Sequence, residues 1–358
     1  MTARERMLLI HRGEKRRRGI RGLAWSPLVN TATLAAYPAP IRDLGINGFV
    51  ELVGGDIFNY YGTCWKETRR KVRIVETPAA DGALRREYRT PVGSLFETVK
   101  GQRILSWRLK DVSEYRIAEY IVEDLDYLPD YDAFDAFEKV IGDRGVAFPY
   151  LPPSPVQDLV QRWLGVEGFA YHLEDHRPDL ERLMRTMLRK SEELYRIAAG
   201  SPSPFVVTCE NTSTRMISPA VFRCYSVPHL SSFADIMHAR GKTAIAHMCG
   251  HIRALLPMIA ETGIDGINCV TPPPLGDTMW REVFDILGDD VIVDALIGPS
   301  AWLEPATADE ARRNVEAIIT EDLMDRNIML TAAADGLPGI PVERFRTVTE
   351  ALRPFVFR

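Results

Sequence analysis

Phe205-Val206-Val207-Thr208-Cys209 and Ala244-Ile245-Ala246-His247 are two short apolar runs, joined by a longer amphipathic segment from Pro219 to Arg240. The runs have the length of buried β-strands, and the segment between them has the length of a helix that ends before Gly241. A strand, a helix and a second strand with this spacing form the unit that makes strands parallel. These residues therefore predict an α/β fold.

The same alternation continues along the rest of the chain. The segments Arg21 to Leu28 and Gly48 to Val53 are predicted as opening strands. Further strands are predicted at 145–150, 266–270, 291–296 and 328–331, and helices at 177–199, 253–262, 278–287, 307–324 and 342–352. This many units favour a (β/α)8 TIM barrel. A doubly wound sheet is the alternative, although no G-x-G-x-x-G motif follows any of the predicted strands.

Residues 72–99 have a different pattern, which alternates and is rich in Val, Thr, Tyr and Phe, with Asp81-Gly82 at a turn. The pattern predicts a β-hairpin or a small antiparallel sheet. We interpret it as an N-terminal β-hairpin insertion, an excursion from a single barrel domain that spans residues 1–358. On the carboxyl-end side of the strands it would be a lid or a substrate wall. On the opposite side it would be decoration or a contact between subunits.

The composition, 46% hydrophobic and 26% charged residues in a chain of 358, is that of a soluble globular protein. A net charge of −5 argues against a general nucleic-acid binder, and the basic run at residues 15–18 is typical of a solvated loop. No apolar run reaches the roughly 18 residues that a membrane span needs, and the N-terminus lacks the apolar core of a signal peptide. The five cysteines are scattered, as expected in a reducing compartment. We therefore expect a cytoplasmic protein with no nucleic-acid or membrane partner.

His247 and Cys249 are the residues most typical of a metal site. In an extended segment, residues i and i+2 point to the same side, so both side chains face one spot at the carboxyl end of their strand. Zinc accepts imidazole nitrogen and thiolate sulfur together. The alternative is a buried core cysteine beside a hydrogen-bonded histidine.

Other polar residues fall at the ends of predicted strands: Asp56, Glu210, Cys269 and Asp335. We expect Glu210 or Asp335 to complete a zinc site with His247 and Cys249, with Cys269 as the reserve ligand and one open position for substrate. Each residue has another interpretation. Cys269 could face the core, Asp335 could start a turn with Gly336, and Glu210 could cap the next helix.

Four parts of the sequence form a pattern that can be compared with known families: His247-Met248-Cys249-Gly250, Ile259-Ala260-Glu261-Thr262-Gly263-Ile264-Asp265-Gly266, Ile217-Ser218-Pro219 with Pro228, and Thr2-Ala3-Arg4-Glu5-Arg6. Together they resemble the uroporphyrinogen decarboxylase superfamily, and more narrowly its zinc-dependent corrinoid methyltransferase branch. The resemblance covers most of the chain after residue 200 and is patchy before it. It implies a (β/α)8 barrel with its active site in a cleft at the carboxyl ends of the strands.

The chain departs from the family pattern in two places. The decarboxylases carry an M-R-Q-A-G-R-Y motif that holds substrate carboxylates, and residues 22–27 here contain nothing equivalent. The thiol methyltransferases have a second cysteine in a glycine-rich turn near the C-terminus, where this chain has Asp335. Gly55-Asp56-Ile57 is similar to the decarboxylase segment with the essential aspartate. Asp56 and Glu210 are therefore the candidate catalytic carboxylates.

The resemblance implies a zinc-dependent methyltransferase that moves a methyl group between a small methylated substrate (an aryl ether, amine or thiol) and a corrinoid carried by a partner protein. Two alternatives stay open. One is a decarboxylase-like lyase of tetrapyrrole metabolism, against which the missing arginine motif counts. The other is a non-catalytic barrel that only binds its ligand.

Overall fold

A computed structural model describes residues 1–101, 103–333 and 339–357. Its strands are β1 (Ala24–Leu28), β2 (Ile57–Asn59), β3 (Trp65–Arg69), β4 (Arg73–Pro78), β5 (Leu84–Thr90), β6 (Gly93–Lys100), β7 (Arg103–Ser106), β8 (Leu125–Pro129), β9 (Gly145–Ala147), β10 (Tyr150–Leu151), β11 (Phe205–Cys209), β12 (Thr243–His247), β13 (Gly266–Val270), β14 (Ile292–Leu296) and β15 (Asn327–Ala333).

The α-helices alternate with these strands over much of the chain. They are α1 (Ala3–His11), α2 (Glu14–Arg17), α3 (Thr31–Ala35), α4 (Ala39–Arg42), α5 (Gly45–Val53), α6 (Tyr115–Glu123), α7 (Tyr131–Ile141), α8 (Pro155–Asp158), α9 (Gly165–Asp175), α10 (Arg177–Gly200), α11 (Pro219–Val221), α12 (Val227–His238), α13 (Leu256–Ile259), α14 (Trp280–Leu287), α15 (Pro299–Trp302), α16 (Ala308–Ala317) and α17 (Val342–Leu352). None of the helices in the described part of the chain is both long and apolar enough to cross a membrane.

Seven strands form one parallel sheet in the order β1-β15-β14-β13-β12-β11-β10. Strands β2 and β9 form a second parallel pair. The backbone N–H of Asp56, which precedes β2, donates to the carbonyl of Trp25 in β1 at 2.9 Å and so links the two sheets. The predicted α/β fold with parallel strands is therefore confirmed.

The predicted strand at Gly48 to Val53 is wrong, because these residues belong to helix α5. Phe49, Val50 and Val53 are buried along one face of that helix. A short apolar run fits the helical period as well as the strand period, so local sequence did not distinguish them. The helix ends at Gly54, whose φ of 80° is left-handed, and the second strand follows as β2.

Strands β4 to β7 form a four-stranded antiparallel sheet that includes most of residues 72–99, and β3 pairs with β8 beside it. The antiparallel sheet lies next to the segment that follows β10. The N–H of Leu109 donates to the Trp163 carbonyl at 3.0 Å, and the Arg108 guanidinium lies 4.4 Å from the Trp163 ring. These contacts place the sheet on the carboxyl-end side of β10.

Helix α1 packs its apolar face against the amino-terminal halves of the parallel strands. Met7 and Ile10 belong to a buried cluster whose other members come from those strands, among them Phe58, Phe205, Ile245, Ile292 and Met329. This apolar layer supports the polar residues that lie closer to the carboxyl ends of the strands.

Candidate functional site

A row of polar side chains crosses four neighbouring parallel strands. Cys209 is in register with His247, His247 with Asn268, and Asn268 with Asp294. Residues paired in register on neighbouring strands point to the same face of a sheet. The row therefore brings four functional groups to one side of the sheet near its carboxyl edge.

Hydrogen bonds within this row determine which nitrogen of His247 carries the proton. Nδ2 of Asn268 lies 2.7 Å from Oδ2 of Asp294, and Oδ1 of Asn268 lies 2.5 Å from Nδ1 of His247. Because a carboxylate only accepts hydrogen bonds, the amide NH2 faces Asp294 and the amide oxygen faces the imidazole. Nδ1 of His247 must then donate, which leaves the lone pair on Nε2.

Asp294 is held on its other side by His11 from helix α1. Nε2 of His11 lies 2.9 Å from Oδ1 of Asp294, and Nδ1 of His11 lies 2.8 Å from the Met7 carbonyl. The His11 ring stacks on Phe58 and Phe205 at centroid distances of 4.7 and 4.8 Å. Both His11 and Asp294 are fully buried. A buried chain of hydrogen bonds thus runs from the N-terminal helix to the imidazole of His247.

Burial lowers the pKa of His247 below its ordinary value. The hydrogen bond to Asn268 and the charge of Asp294 act in the opposite direction but do not reverse the shift. The imidazole is therefore neutral at neutral pH, which is the state that can bind a metal ion.

Asn211 connects Cys249 to this row. The Cys249 thiol donates to Oδ1 of Asn211 at 3.5 Å, and Nδ2 of Asn211 lies 3.5 Å from the sulfur of Cys209 and 3.0 Å from Oε1 of Gln161. The backbone N–H of Asn211 donates to the His247 carbonyl at 2.8 Å. Its φ of 48° is left-handed, a conformation that Asn adopts more readily than most residues. One amide side chain therefore positions two thiols beside the strand that carries His247.

Tyr150 lies against the thiols and the imidazole. Its hydroxyl is hydrogen-bonded to Cys209, and its ring makes an edge contact with His247 at 5.8 Å between centroids. Burial raises the pKa of Cys209 to about 11 and raises the pKa of Tyr150 well above its ordinary value. The nearby thiols of Cys209, Cys249 and Cys269 raise the Tyr150 pKa further. Tyr150 and Cys209 therefore both keep their protons at neutral pH.

Cys269 follows Asn268 at an irregularity where the pairing of β13 with β14 shifts register. Its φ of 67° is unusual for a residue with a side chain, and the residue is buried. The strict alternation on which the sequence prediction relied is broken here. The sulfur nevertheless lies close enough to affect the titration of the Tyr150 hydroxyl.

Glu210 follows β11 and is fully buried, and both of its carboxylate oxygens are already engaged. Oε1 accepts from the Ser154 backbone N–H at 2.9 Å and from the Thr208 hydroxyl at 3.2 Å, while Oε2 accepts from the Ser154 hydroxyl at 2.6 Å. Burial raises the Glu210 pKa, and these hydrogen bonds oppose the shift. Ser154 precedes α8, so Glu210 supports the start of a helix earlier in the chain. The alternative interpretation, in which Glu210 caps the next helix, is therefore wrong.

Asp56 lies at the amino end of β2 and pairs with Arg6 of helix α1. Nε and Nη2 of Arg6 lie 3.0 and 2.7 Å from the two carboxylate oxygens. The structure thus does not bring Asp56 to the carboxyl ends, where His247 and Cys249 lie. Asp335, the other candidate carboxylate, lies outside the described residues.

Two features of His247 and Cys249 suit a zinc ion. The imidazole has its Nε2 lone pair available, and the Cys249 thiol follows two residues later, just beyond the end of β12. Within residues 1–101, 103–333 and 339–357, no group of three His, Cys, Asp or Glu side chains has the arrangement needed to hold one metal ion. The described part of the chain therefore supplies two candidate ligands for a metal ion and not a complete set of ligands.

Sequence reasoning missed Asn211, Asn268, Asp294 and His11, and it named Cys209 only as the last residue of a strand. Asn268 and Asp294 left a visible signal, because each is a polar residue inside a short apolar run that becomes a fully buried strand. Buried polar side chains require hydrogen-bond partners. A search for polar residues at matching positions of neighbouring strands would have found this pair.

Comparisons with known proteins agree with this architecture. The uroporphyrinogen decarboxylase (URO-D) family matches residues 172–355, a little more than half of the chain. A methyltransferase from Methanosarcina mazei is similar in structure, with a TM-score of 0.60 and 12% sequence identity over 99% of each chain. This likeness shows a shared fold. The HpcH/HpaI aldolase from Desulfitobacterium hafniense DCB-2 gives a TM-score of only 0.27 at 14% identity, over 46% of this chain and 70% of its own. No curated protein sequence matches significantly.

Proposed function

Since the chain belongs to the uroporphyrinogen decarboxylase family, we propose that it is a zinc-dependent methyltransferase. It would move a methyl group between a small methylated substrate and a corrinoid carried by a partner protein. The observation that carries the proposal is the hydrogen-bonded row that leaves a lone pair on Nε2 of His247, two residues before the Cys249 thiol. The fold shared with the Methanosarcina mazei methyltransferase is consistent with it.

His247 and Cys249 would hold the zinc ion, which would supply Lewis acidity to the oxygen, nitrogen or sulfur from which the methyl group departs. Asp335 and Cys269 remain candidates for a third ligand. Glu210 is a weaker candidate because it would have to give up its hydrogen bonds to Ser154 and Thr208.

The remaining residues of the site would position and protect these two ligands. Asn268 and Asp294 hold the imidazole ring in one tautomer, and Asn211 accepts a hydrogen bond from the Cys249 thiol. Tyr150 stays protonated, and its ring packs against the imidazole at 5.8 Å between centroids.

The methylated substrate would be an aryl ether, an amine or a thiol. An aryl methyl ether suits a Lewis acid best, because phenolate is a poor leaving group unless its charge is neutralised. The corrinoid protein would present its ring at the carboxyl ends of the parallel strands. The antiparallel sheet of β4 to β7 lies on that side of β10 and could form one wall of the approach.

We further propose that the parallel strands close into one (β/α)8 barrel, from which residues 72–99 are an excursion within a single domain. Two backbone hydrogen bonds support closure. They run from the Asp56 N–H to the Trp25 carbonyl, and from the Val207 N–H to the Pro149 carbonyl at 3.0 Å.

The test combines metal analysis with a methyl-transfer assay. Purified protein should contain about one zinc per chain, lose it to a chelator, and regain it with added zinc. The zinc form should methylate free cob(I)alamin from an aryl methyl ether, a methylamine or a methylated thiol, and the chelated form should not. Carefully purified protein that lacks zinc and binds none on addition would contradict the proposal.

A further inference from the structure

A separate cavity lies where the antiparallel sheet meets the parallel part of the fold. Its volume is about 280 Å³, and its walls come from β3, β5, β8, α6, α10 and the segment after β10. Tyr150, His247 and Cys249 do not line it. Junctions between separately packed parts of a chain are frequent ligand sites, and this volume suits a small molecule.

Four cationic side chains line the cavity, and three of them already have a carboxylate partner. Arg108 donates to Glu97 at 3.1 Å, Arg162 lies 3.3 Å from Asp158, and Lys190 lies 3.0 Å from Glu193. Arg108 is also fixed between two rings, 4.1 Å from Tyr88 and 4.4 Å from Trp163. These three cations are therefore bound within the protein.

Arg69 is different. Its Nη1 donates to the Ile121 carbonyl at 2.6 Å, and no carboxylate of the described chain lies within ion-pair distance of its guanidinium. The side chain is half-buried, and burial lowers its pKa, although a guanidinium remains charged at neutral pH. One hydrogen bond to the Ile121 carbonyl and the nearby charge of Glu67 replace only part of the hydration that this partly buried guanidinium loses.

We propose that this cavity binds a small organic monocarboxylate whose carboxylate pairs with Arg69. A guanidinium offers parallel N–H groups that match a carboxylate in geometry. The tyrosine ring of Tyr127 and the apolar side chains of Leu125 and Met187 line the same space and would contact the body of the ligand.

The charge of the cavity wall selects a single negative charge. Glu67 and Asp158 line the cavity together with the four cations. Since Arg108, Arg162 and Lys190 pair with Glu97, Asp158 and Glu193, Arg69 is the one cation of the lining without an ion-pair partner in the described part of the chain. A second negative charge, as on a phosphate dianion, would face Glu67 and Asp158 without a partner. This site does not depend on the proposed methyl transfer.

Benzoate is the probe for this site, and benzamide is its uncharged counterpart. Calorimetry should show that the wild-type protein binds benzoate, binds benzamide at least tenfold more weakly, and prefers benzoate to inorganic phosphate. Equal affinity for benzoate and benzamide, tighter binding of phosphate, or no binding of benzoate would overturn the proposal.

Variants at two neighbouring arginines locate the site. Arg69→Gln should weaken benzoate binding about tenfold or more, and Arg69→Lys should keep part of the affinity because it keeps the charge. Arg70→Gln is the matched control, since Arg70 is exposed and pairs with Asp126 instead. Circular dichroism would establish that each variant is folded. Unchanged benzoate affinity in a folded Arg69→Gln protein, or an equal loss in Arg70→Gln, would assign the binding elsewhere.

Discussion

The side-chain oxygen of Asn268 accepts a 2.5 Å hydrogen bond from Nδ1 of His247, across two neighbouring parallel strands. Asp294 fixes the orientation of that amide from the next strand at 2.7 Å. A histidine ligand whose other ring nitrogen is hydrogen-bonded in this way keeps one tautomer and one ring orientation. The relationship therefore connects a buried polar network with the chemistry proposed for His247.

Replacing Asn268 with Leu should release the imidazole. Zinc affinity should fall about 10-fold to 100-fold, and ¹⁵N NMR of the histidine side chains should show a mixture of tautomers where the metal-free wild-type protein shows only Nδ1–H. Asp294→Asn is the conservative control. Its amide oxygen can still accept from Asn268 while its NH2 faces His11. A metal-free wild-type protein with its proton on Nε2 of His247 would refute the assignment, whatever the activity of the enzyme.

Cys249→Ser should abolish zinc binding and methyl transfer while leaving the melting temperature of the metal-free protein nearly unchanged. The reason is that a half-buried thiol at a hydrogen-bond distance as long as 3.5 Å contributes little to stability, and serine keeps a donor there. Cys269→Ser should keep the zinc. Metal content and thermal melts of both variants check this prediction. Stoichiometric zinc in Cys249→Ser would remove Cys249 from the site.

The protein should not convert uroporphyrinogen to coproporphyrinogen. Burying several substrate carboxylates without arginine partners costs several kcal/mol, and residues 22–27 supply no such arginines. A product assay with uroporphyrinogen measures this directly. Turnover at an ordinary enzymatic rate would show that other cations replace the missing motif.

Asp56→Asn should act on stability. The pair that Asp56 forms with Arg6 is mostly buried, with side-chain exposures of 11% and 15%. Removing the carboxylate leaves the guanidinium without its partner, at a cost of about 2 kcal/mol. Urea denaturation of Asp56→Asn, Arg6→Met and the double variant should reveal a favourable coupling energy. A variant that is as stable as wild type but inactive would return Asp56 to a catalytic role.

Stability should decrease as the pH falls from about 6.5 to about 4, in part because of His229. Burial lowers the pKa of His229 to about 4 in the folded protein, whereas the unfolded chain titrates near 6.5. The unfolded state therefore binds more protons between these values, so its population rises as the pH decreases. The contribution is about 3 kcal/mol. In urea denaturation at pH 7, 5.5 and 4, His229→Leu should lose less stability than wild type. An equal loss of unfolding free energy in the two proteins would contradict the role of His229.

Much of the fold could be predicted from local sequence. Strands β11 and β13 and helix α17 have the bounds that the sequence predicted. They could be predicted because the spacing of apolar residues within one segment is a local property of the sequence. The segment Gly48 to Val53 was assigned to the wrong element because a short apolar run suits a helix and a strand equally. Residues 72–99 were predicted as a β-hairpin or a small antiparallel sheet, and the sheet has a fourth strand, β7, from residues beyond that stretch.

The sequence by itself determined the parallel α/β class, because the alternation of apolar strands and amphipathic helices is a local pattern, and it placed His247 and Cys249 two residues apart at the end of β12. Only the tertiary structure decided what surrounds them. His11 meets Asp294 across 283 residues, Asn268 meets both Asp294 and His247, and Glu210 turns to Ser154. These partners depend on strand register and on how helix α1 packs beneath the sheet. Register and packing arise from contacts between distant segments, so no single segment of the sequence encodes them.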